Sequence, residues 1–169
     1  PVFETFVLLI LEQQVSINSA NACFLKLKAK VAIFEPEVLF SLSEEEFRSA
    51  GASRQKTTYI KALSQAVLNN DIDLESLSAK SAEKIREELN NIKGIVNWTN
   101  DIYRLFCLQS PDIIPLGDIA VFNTIKELLD IHTKEEMEIY VEKWKPYRSA
   151  ATFFLWHYYL GKRNRKVEY

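Results

Sequence analysis

The chain has 169 residues, of which 47% are hydrophobic and 12% aromatic. That length suits one domain with a substantial core, and that composition excludes an intrinsically disordered chain. The formal net charge of −2 argues, taken alone, against nucleic acid as a partner. Residues 143–169, however, carry seven Lys and Arg against one Glu, while the remaining residues carry 14 against 22 acidic ones. This asymmetry is consistent with one basic face or with a solvated basic tail.

Other bulk features exclude further classes of protein. No apolar run approaches the roughly 20 residues that cross a bilayer, and no signal-peptide pattern is present at the start. Because the chain opens inside a helical pattern, we expect N-terminal elements to precede it. Cys23 and Cys107 are expected to be reduced core thiols of a cytoplasmic protein, associated with the nucleoid in a bacterium or nuclear in a eukaryote. His132 and His157 lack metal-ligand spacing.

The first half of the chain predicts consecutive helices, because apolar residues recur with a period near 3.6 and glycines number only 4. A strongly apolar core helix over residues 2–13 leads into a helix from 17 to about 31, capped by Ser16. Two short helices follow over 36–50, the second opened by a capping box at Ser43. Further helices begin at Ser53, near Leu74 and at Ser81.

Residues 89–118 carry the most informative pattern. A helix with Leu89 on its apolar face ends at Gly94, because glycine readily adopts the positive φ of an abrupt turn. A second amphipathic helix follows. Pro111 and Pro115 then keep the chain extended until Asp118, which is predicted to cap the next helix. The free amides at the start of the second helix predict a seat for a phosphate oxygen.

The last third predicts three helices. One extends from residue 119 to 129, and a second opens with a capping box at Thr133. Pro146 interrupts the second helix. The final helix, from 147 to about 160, holds six aromatic residues, most of which are expected to be in the core.

The hairpin resembles that of the helix-hairpin-helix DNA glycosylases, Leu-x-x-Ile/Leu-Pro-Gly-Ile-Gly followed by an Asp after a further helix and loop. The closest resemblance is to the alkylation-repair branch, 3-methyladenine DNA glycosylase II. Residues 10–16, 51–60 and 144–156 agree with it as well. The resemblance implies an all-α, two-lobed helical bundle with a cleft between the lobes. It also implies one glycosylase domain over residues 1–169, with its hairpin at about 82–109.

By this resemblance, the chain is expected to be a monofunctional DNA glycosylase of base excision repair that flips out and removes alkylated purines such as 3-methyladenine and 7-methylguanine. Asp118 is the implied catalytic carboxylate. Trp98, Trp156, Ile102 and Ile119 are the implied base pocket. Bifunctional relatives carry a lysine four residues after the hairpin glycine; that position is Trp98, so no lyase activity is expected.

The resemblance also assigns the contacts with DNA. Gln14, beside Gln13, is implied to fill the gap left by the flipped nucleotide. The full set of expected DNA-binding residues is Gln13, Gln14, Lys56, Lys93, Gly94, Val96 and Arg148. Lys93 and Val96 depart from the family, which has proline and a second glycine at these positions. The β-branched Val96 hinders close approach of a phosphate, and Lys93 offsets part of that loss by its charge.

No cofactor is expected, and two cysteines are too few for a four-cysteine iron–sulfur cluster. The family resemblance implies at most a Na⁺ or K⁺ ion on the backbone carbonyls of Asn90, Ile92 and Ile95. The expected partner is double-stranded DNA bound by a monomer, with no membrane. Two alternatives stay open: a catalytically silent DNA-binding module on the same scaffold, and a glycosylase for another damaged base such as uracil or deaminated adenine.

Overall fold

The computed structural model describes residues 2–163, and every regular element in that range is helical. The expected all-α fold is therefore confirmed. In chain order the helices are α1 (Val2–Glu12), α2 (Ile17–Lys30), α3 (Pro36–Ser41), α4 (Glu44–Ala50), α5 (Arg54–Leu68), α6 (Ala82–Asn90), α7 (Asn97–Phe106), α8 (Ile119–Leu129), α9 (Lys134–Val141) and α10 (Arg148–Lys162). Short 3-10 helices occupy Glu75–Ala79 and Glu142–Trp144. Arg165 and Lys166 of the expected basic tail lie outside the described residues.

Helix starts follow the predicted caps closely. Side chains of Ser16, Ser43, Ser53, Asp118 and Thr133 each accept a backbone N–H from the first turn of the helix that follows. The capping boxes at Ser43 and Thr133 are both complete. These local hydrogen bonds satisfy amides that a helix cannot pair internally, which is why the sequence predicts them well.

The chain divides into two compact units, of which the first is Pro1–Tyr103. Its core centres on α1, where Phe6, Val7 and Ile10 are completely buried. Helix α1 packs on α2 and α5, and α3 also packs on α5. The prediction of a core helix at the start of the chain is confirmed.

The second unit is Arg104–Tyr169. Its core consists of Val121, Ile125, Met137, Val141 and Leu155, and α8 packs against α10. Within residues 2–163, no helix combines the length and the hydrophobicity that crossing a bilayer requires.

Two expectations about burial are wrong. The aromatic residues of the predicted final helix are not mainly core residues: Phe154 on α10 is 76% exposed, and Tyr147, the residue before α10, is 70% exposed. Helix α10 buries one face only, through Ser149, Thr152 and Leu155, so aromatic residues on its other faces stay accessible. Cys107 is exposed, whereas Cys23 is buried as expected. The reason is that α7 ends at Phe106, which puts Cys107 in the following loop rather than on a helix face.

Candidate functional site

The hairpin between α6 and α7 turns at Gly94, whose φ of 94° confirms the predicted left-handed conformation. A Cβ atom at this position would lie 2.1 Å from Cγ of Tyr59 on α5. Both the backbone conformation and the space therefore require glycine. Lys93, next to it, is exposed and forms no ion pair with any of residues 2–163. Val96, just before α7, is 48% exposed.

The turn between α1 and α2 carries Gln14, which is expected to fill the gap in the duplex, and Gln13 beside it. Gln14 is exposed and has a φ of 59°, which is unusual for a residue with a side chain. The half-buried Gln13 donates two hydrogen bonds from Nε2, one to the Gly94 carbonyl (2.8 Å) and one to Thr99 Oγ1 (3.0 Å). Nothing local in the sequence predicts these bonds. Insertion of Gln14 into DNA, and a DNA contact by Gln13, stay predictions.

Two of the expected DNA-binding cations, Lys56 and Arg148, form hydrogen bonds with other groups of the protein. Lys56 Nζ donates to the Leu11 carbonyl at 2.5 Å, and burial lowers the pKa of this lysine. Arg148 binds both carboxylate oxygens of Asp112, from Nε at 2.6 Å and from Nη2 at 2.8 Å, and reaches Glu142 at 3.2 Å. Its hydrogen bonds lower the pKa of Asp112. Phosphate contacts by Lys56 and Arg148 stay predictions.

The Asp118 carboxylate is held in one orientation at the start of α8. Its Oδ1 accepts the backbone N–H groups of Ala120 (2.9 Å) and Val121 (3.0 Å). The same oxygen accepts the indole N–H of Trp156 on α10, also at 3.0 Å. Three donors on one oxygen fix the plane of the carboxylate.

The loop that delivers Asp118 is bound along one face of α10. Ser149 donates its backbone N–H to the Pro111 carbonyl (3.0 Å), and its Oγ accepts the N–H of Ile113 (2.9 Å). Thr152 Oγ1 donates to the Ile113 carbonyl at 2.9 Å. With Arg148 and Trp156, these side chains follow the helical spacing i, i+1, i+4 and i+8. Ser149 and Thr152 were not predicted as site residues, although small polar residues facing a core are an available signal.

An aromatic cluster adjoins the carboxylate in the second unit. Trp156 lies nearly parallel to Phe106, with ring centroids 5.7 Å apart and planes 6° apart. Phe153 meets both rings edge-on, at 5.7 and 5.9 Å. Phe106 and Phe153 were not among the predicted site residues.

The four residues expected to line a base pocket differ in solvent exposure and are divided between the two compact units. Trp98 is half-buried and Ile102 is buried, both in the first unit. Trp156 is half-buried and Ile119 is 71% exposed, both in the second unit. A pocket formed by all four stays a prediction.

The carbonyls expected to bind an alkali cation belong to the hairpin turn. The carbonyl of Ile92 accepts the N–H of Ile95 at 3.1 Å; a carbonyl has two lone pairs, so this bond is compatible with a cation on the other. Cation binding by Asn90, Ile92 and Ile95 stays a prediction. Among residues 2–163, no three His, Cys, Asp or Glu side chains are grouped closely enough to hold a metal ion.

The structure combines a helical hairpin that requires glycine at its turn with a helix-capping carboxylate that is hydrogen-bonded to a tryptophan. These features define a helix-hairpin-helix protein of the DNA-glycosylase type. A family model described as "HhH-GPD superfamily base excision DNA repair protein" matches residues 7–148. The chain belongs to this family.

Two curated relatives support the same family assignment. The alkylbase DNA glycosidase-like protein mag2 of Schizosaccharomyces pombe is 33% identical over 135 residues, covering 78% of this chain and 62% of mag2. DNA-3-methyladenine glycosylase 1 of the same yeast is 29% identical over 161 residues, covering 91% of this chain and 71% of the relative. This chain therefore spans between three fifths and three quarters of the length of these two curated relatives.

A solved structure agrees with the fold. The 3-methyladenine DNA glycosylase Mag1 of S. pombe, in complex with abasic DNA, superimposes with a TM-score of 0.84 at 28% identity. The match covers 92% of this chain and 79% of that one.

Proposed function

We propose that the chain is a monofunctional DNA glycosylase that hydrolyses the N-glycosidic bond of alkylated purines, of the 3-methyladenine and 7-methylguanine class, in double-stranded DNA. The observation that carries this proposal is the Asp118 carboxylate, fixed at the start of α8 by two backbone amides and the Trp156 indole. Names of the relatives, which specify alkylbase or 3-methyladenine substrates, support the choice of base.

The chemistry requires a carboxylate that is ionised and held still. As the base departs, positive charge develops on the deoxyribose, and a nearby carboxylate stabilises it. The N-glycosidic bond breaks with its electron pair going to the base. A water oxygen bonds to C1′, and Asp118 accepts the proton that this water releases.

The aromatic cluster suits a cationic base. Alkylation at a ring nitrogen gives the purine a positive charge, and the π-faces of Trp156 and Phe106 attract cations. A cationic base also leaves readily, because the electron pair that it takes neutralises it. This chemistry needs no strong general acid.

Hydrolysis without strand cleavage is the expected outcome at the hairpin. The residue four positions after Gly94 is Trp98, and an indole cannot form the Schiff base that a lyase step requires. Lys93 lies on the other side of the turn. We propose DNA as the sole macromolecular partner of a monomeric enzyme, with no cofactor.

A silent DNA-binding module is the second candidate, and Val96 favours it. Its exposed, β-branched side chain occupies the position at which the family has glycine. A bulky group there hinders close contact between the α7 amides and a phosphate. Such a hairpin would bind duplex DNA weakly, and a module that only binds DNA would release no base.

Base release from methylated duplex DNA tests these candidates. We expect wild type to release 3-methyladenine or 7-methylguanine, and strand breaks to appear only after alkali treatment. Asp118→Asn should slow release by about 100-fold or more, because the amide keeps the capping bonds but loses the charge. Asp130→Asn is the matched control at the other end of α8, in a left-handed conformation that Asn tolerates.

Other outcomes contradict the proposal in different ways. Duplex binding by wild type with no release of any base would support the silent module. Release of uracil or hypoxanthine in place of methylated purines would support another substrate. Strand breaks without alkali would contradict the monofunctional assignment.

A further inference from the structure

The turn at residues 13–16 depends on side chains for its shape. Its two backbone hydrogen bonds, from Gln13 N to the Ile10 carbonyl and from Val15 N to the Glu12 carbonyl, are both 3.4 Å long. Typical bonds of this kind are about 2.9–3.0 Å. Between them, Gln14 holds a φ of 59°, which costs free energy for a residue with a Cβ atom. Because these backbone hydrogen bonds are weak and Gln14 is strained, the turn needs contacts with another part of the protein to hold its conformation.

The carboxamide of Gln13 braces the turn through contacts with the hairpin. Its Nε2 has two N–H groups, and both are used, on the Gly94 carbonyl and on Thr99 Oγ1. Thr99 is completely buried in α7, and the Gly94 backbone is confined by the Tyr59 ring against its α-carbon. Both acceptors are therefore rigid, and they lie 81 and 86 positions away in the chain.

A second contact holds the same end of α1. Lys56, on α5, donates from Nζ to the carbonyl of Leu11, one residue before the end of α1. A cation at a helix C-terminus also interacts favourably with the helix dipole. The end of α1 is thus fixed at Leu11 and again at Gln13, and the next residue is the exposed Gln14.

We propose that Gln13 is a positioning residue, which fixes turn 13–16 to the hairpin so that Gln14 enters the duplex at a set distance from the phosphate that the hairpin holds. The two adjacent glutamines then have different tasks: Gln13 faces inward and braces, and Gln14 faces outward and inserts. This inference rests on the proposed function, because it assumes that the protein binds duplex DNA.

The test uses a duplex with an abasic-site analogue opposite 2-aminopurine, whose fluorescence reports insertion of a side chain into the gap. Gln13→Met keeps the approximate length of the side chain and removes both donors. We expect Gln13→Met to reduce the fluorescence response about fivefold or more, as loss of two hydrogen bonds allows. The response is measured at saturating protein, so that a change in the affinity for DNA does not contribute to it.

A double variant separates bracing from a general loss of structure. If Gln13 acts only through Gln14, then Gln13→Met combined with Gln14→Ala loses no more response than Gln14→Ala alone. Full additivity of the two effects would overturn the proposal. A wild-type response from Gln13→Met would overturn it as well.

Two further measurements keep the inference testable by itself. Thr99→Val removes one of the two acceptors at constant shape, so it should give an intermediate loss and serves if Gln13→Met does not fold. In the free protein, amide hydrogen exchange of residues 13–16 should be faster in Gln13→Met and unchanged in Gln14→Ala; equal exchange would contradict the brace. If wild type released no base, the proposed activity would be contradicted, but the hydrogen-exchange result would still test the role of Gln13.

Discussion

At the scale of single residues, the amide of Asn100 is a poorly accommodated polar group. The residue is completely buried in α7, and neither its Oδ1 nor its Nδ2 has a hydrogen-bond partner among residues 2–163. Burying an amide without partners costs free energy, and Asn is also a poorer helix former than Ala. Natural proteins retain such a residue only at a cost in stability.

Asn100→Ala is therefore expected to stabilise the protein. Removing both unpaired groups should raise the free energy of unfolding by about 1–2 kcal/mol and the melting temperature by about 2–6 °C. Thermal unfolding followed by circular dichroism measures the change. Asn18→Ala, on the exposed side of α2, is the control for helix propensity alone. A lower melting temperature for Asn100→Ala would contradict this prediction.

For single residues, the sequence predicts those conformations and hydrogen bonds that depend on residues nearby in the chain. Asp118 as a cap and Gly94 at positive φ are both confirmed, because each is set by backbone within a few positions. The bond from Trp156 to Asp118 joins residues 38 positions apart, and the bond from Gln13 to Gly94 joins residues 81 apart. No local pattern encodes such pairs, so the sequence could name Trp156 and Gln13 without giving their partners.

At the scale of elements, α10 and the loop before α8 behave as one assembly. Arg148, Ser149 and Thr152 hold the loop, and Trp156 holds the carboxylate at its end. The sequence predicts the helix but not the face that it buries, because aromatic residues occur all round it. Burial instead follows the small residues Ser149 and Thr152, which let the loop approach the helix closely.

The ion pair between Arg148 and Asp112 makes this assembly sensitive to acid. Hydrogen bonding to Arg148 puts the pKa of Asp112 in the folded protein below its ordinary value of 3.8. The contribution of this carboxylate to stability is therefore fully present above the unfolded-state pKa. It is lost as the pH falls through the lower, folded-state pKa.

Asp112→Asn should accordingly lose stability at neutral pH and converge with wild type in acid. Urea denaturation at several pH values, from about 6 down to about 3, measures the difference between the two proteins. Arg148→Met should show the same convergence, since it removes the partner that lowers the pKa. Glu142 is half-exposed, so Glu142→Gln should have little effect at any pH. A gap between Asp112→Asn and wild type that stayed constant across this range would contradict the assignment.

At the scale of the whole molecule, three of the five cations in residues 143–163 form ion pairs inside the second unit. Lys145 pairs with Glu142, Arg148 with Asp112, and Lys162 with Glu127. The charge count of the sequence thus overstates the basic surface that residues 143–163 offer to DNA. Lys93 on the hairpin, by contrast, is a cation without an ion pair among residues 2–163.

Salt dependence of duplex binding decides how much of the affinity Lys93 supplies. Each phosphate that a cation neutralises adds about −0.9 to the slope of log K against log salt concentration. Lys93→Ala should make the slope shallower by about 0.9, because the hairpin then lacks its own positive charge. Lys26→Ala, an exposed lysine on α2, should leave the slope unchanged if the hairpin is the contact. Fluorescence anisotropy measures the two slopes. Equal slopes for wild type and Lys93→Ala would mean that the α7 amides bind the phosphate without help from this lysine. They would also mean that the positive charge of Lys93 does not offset the bulk of Val96.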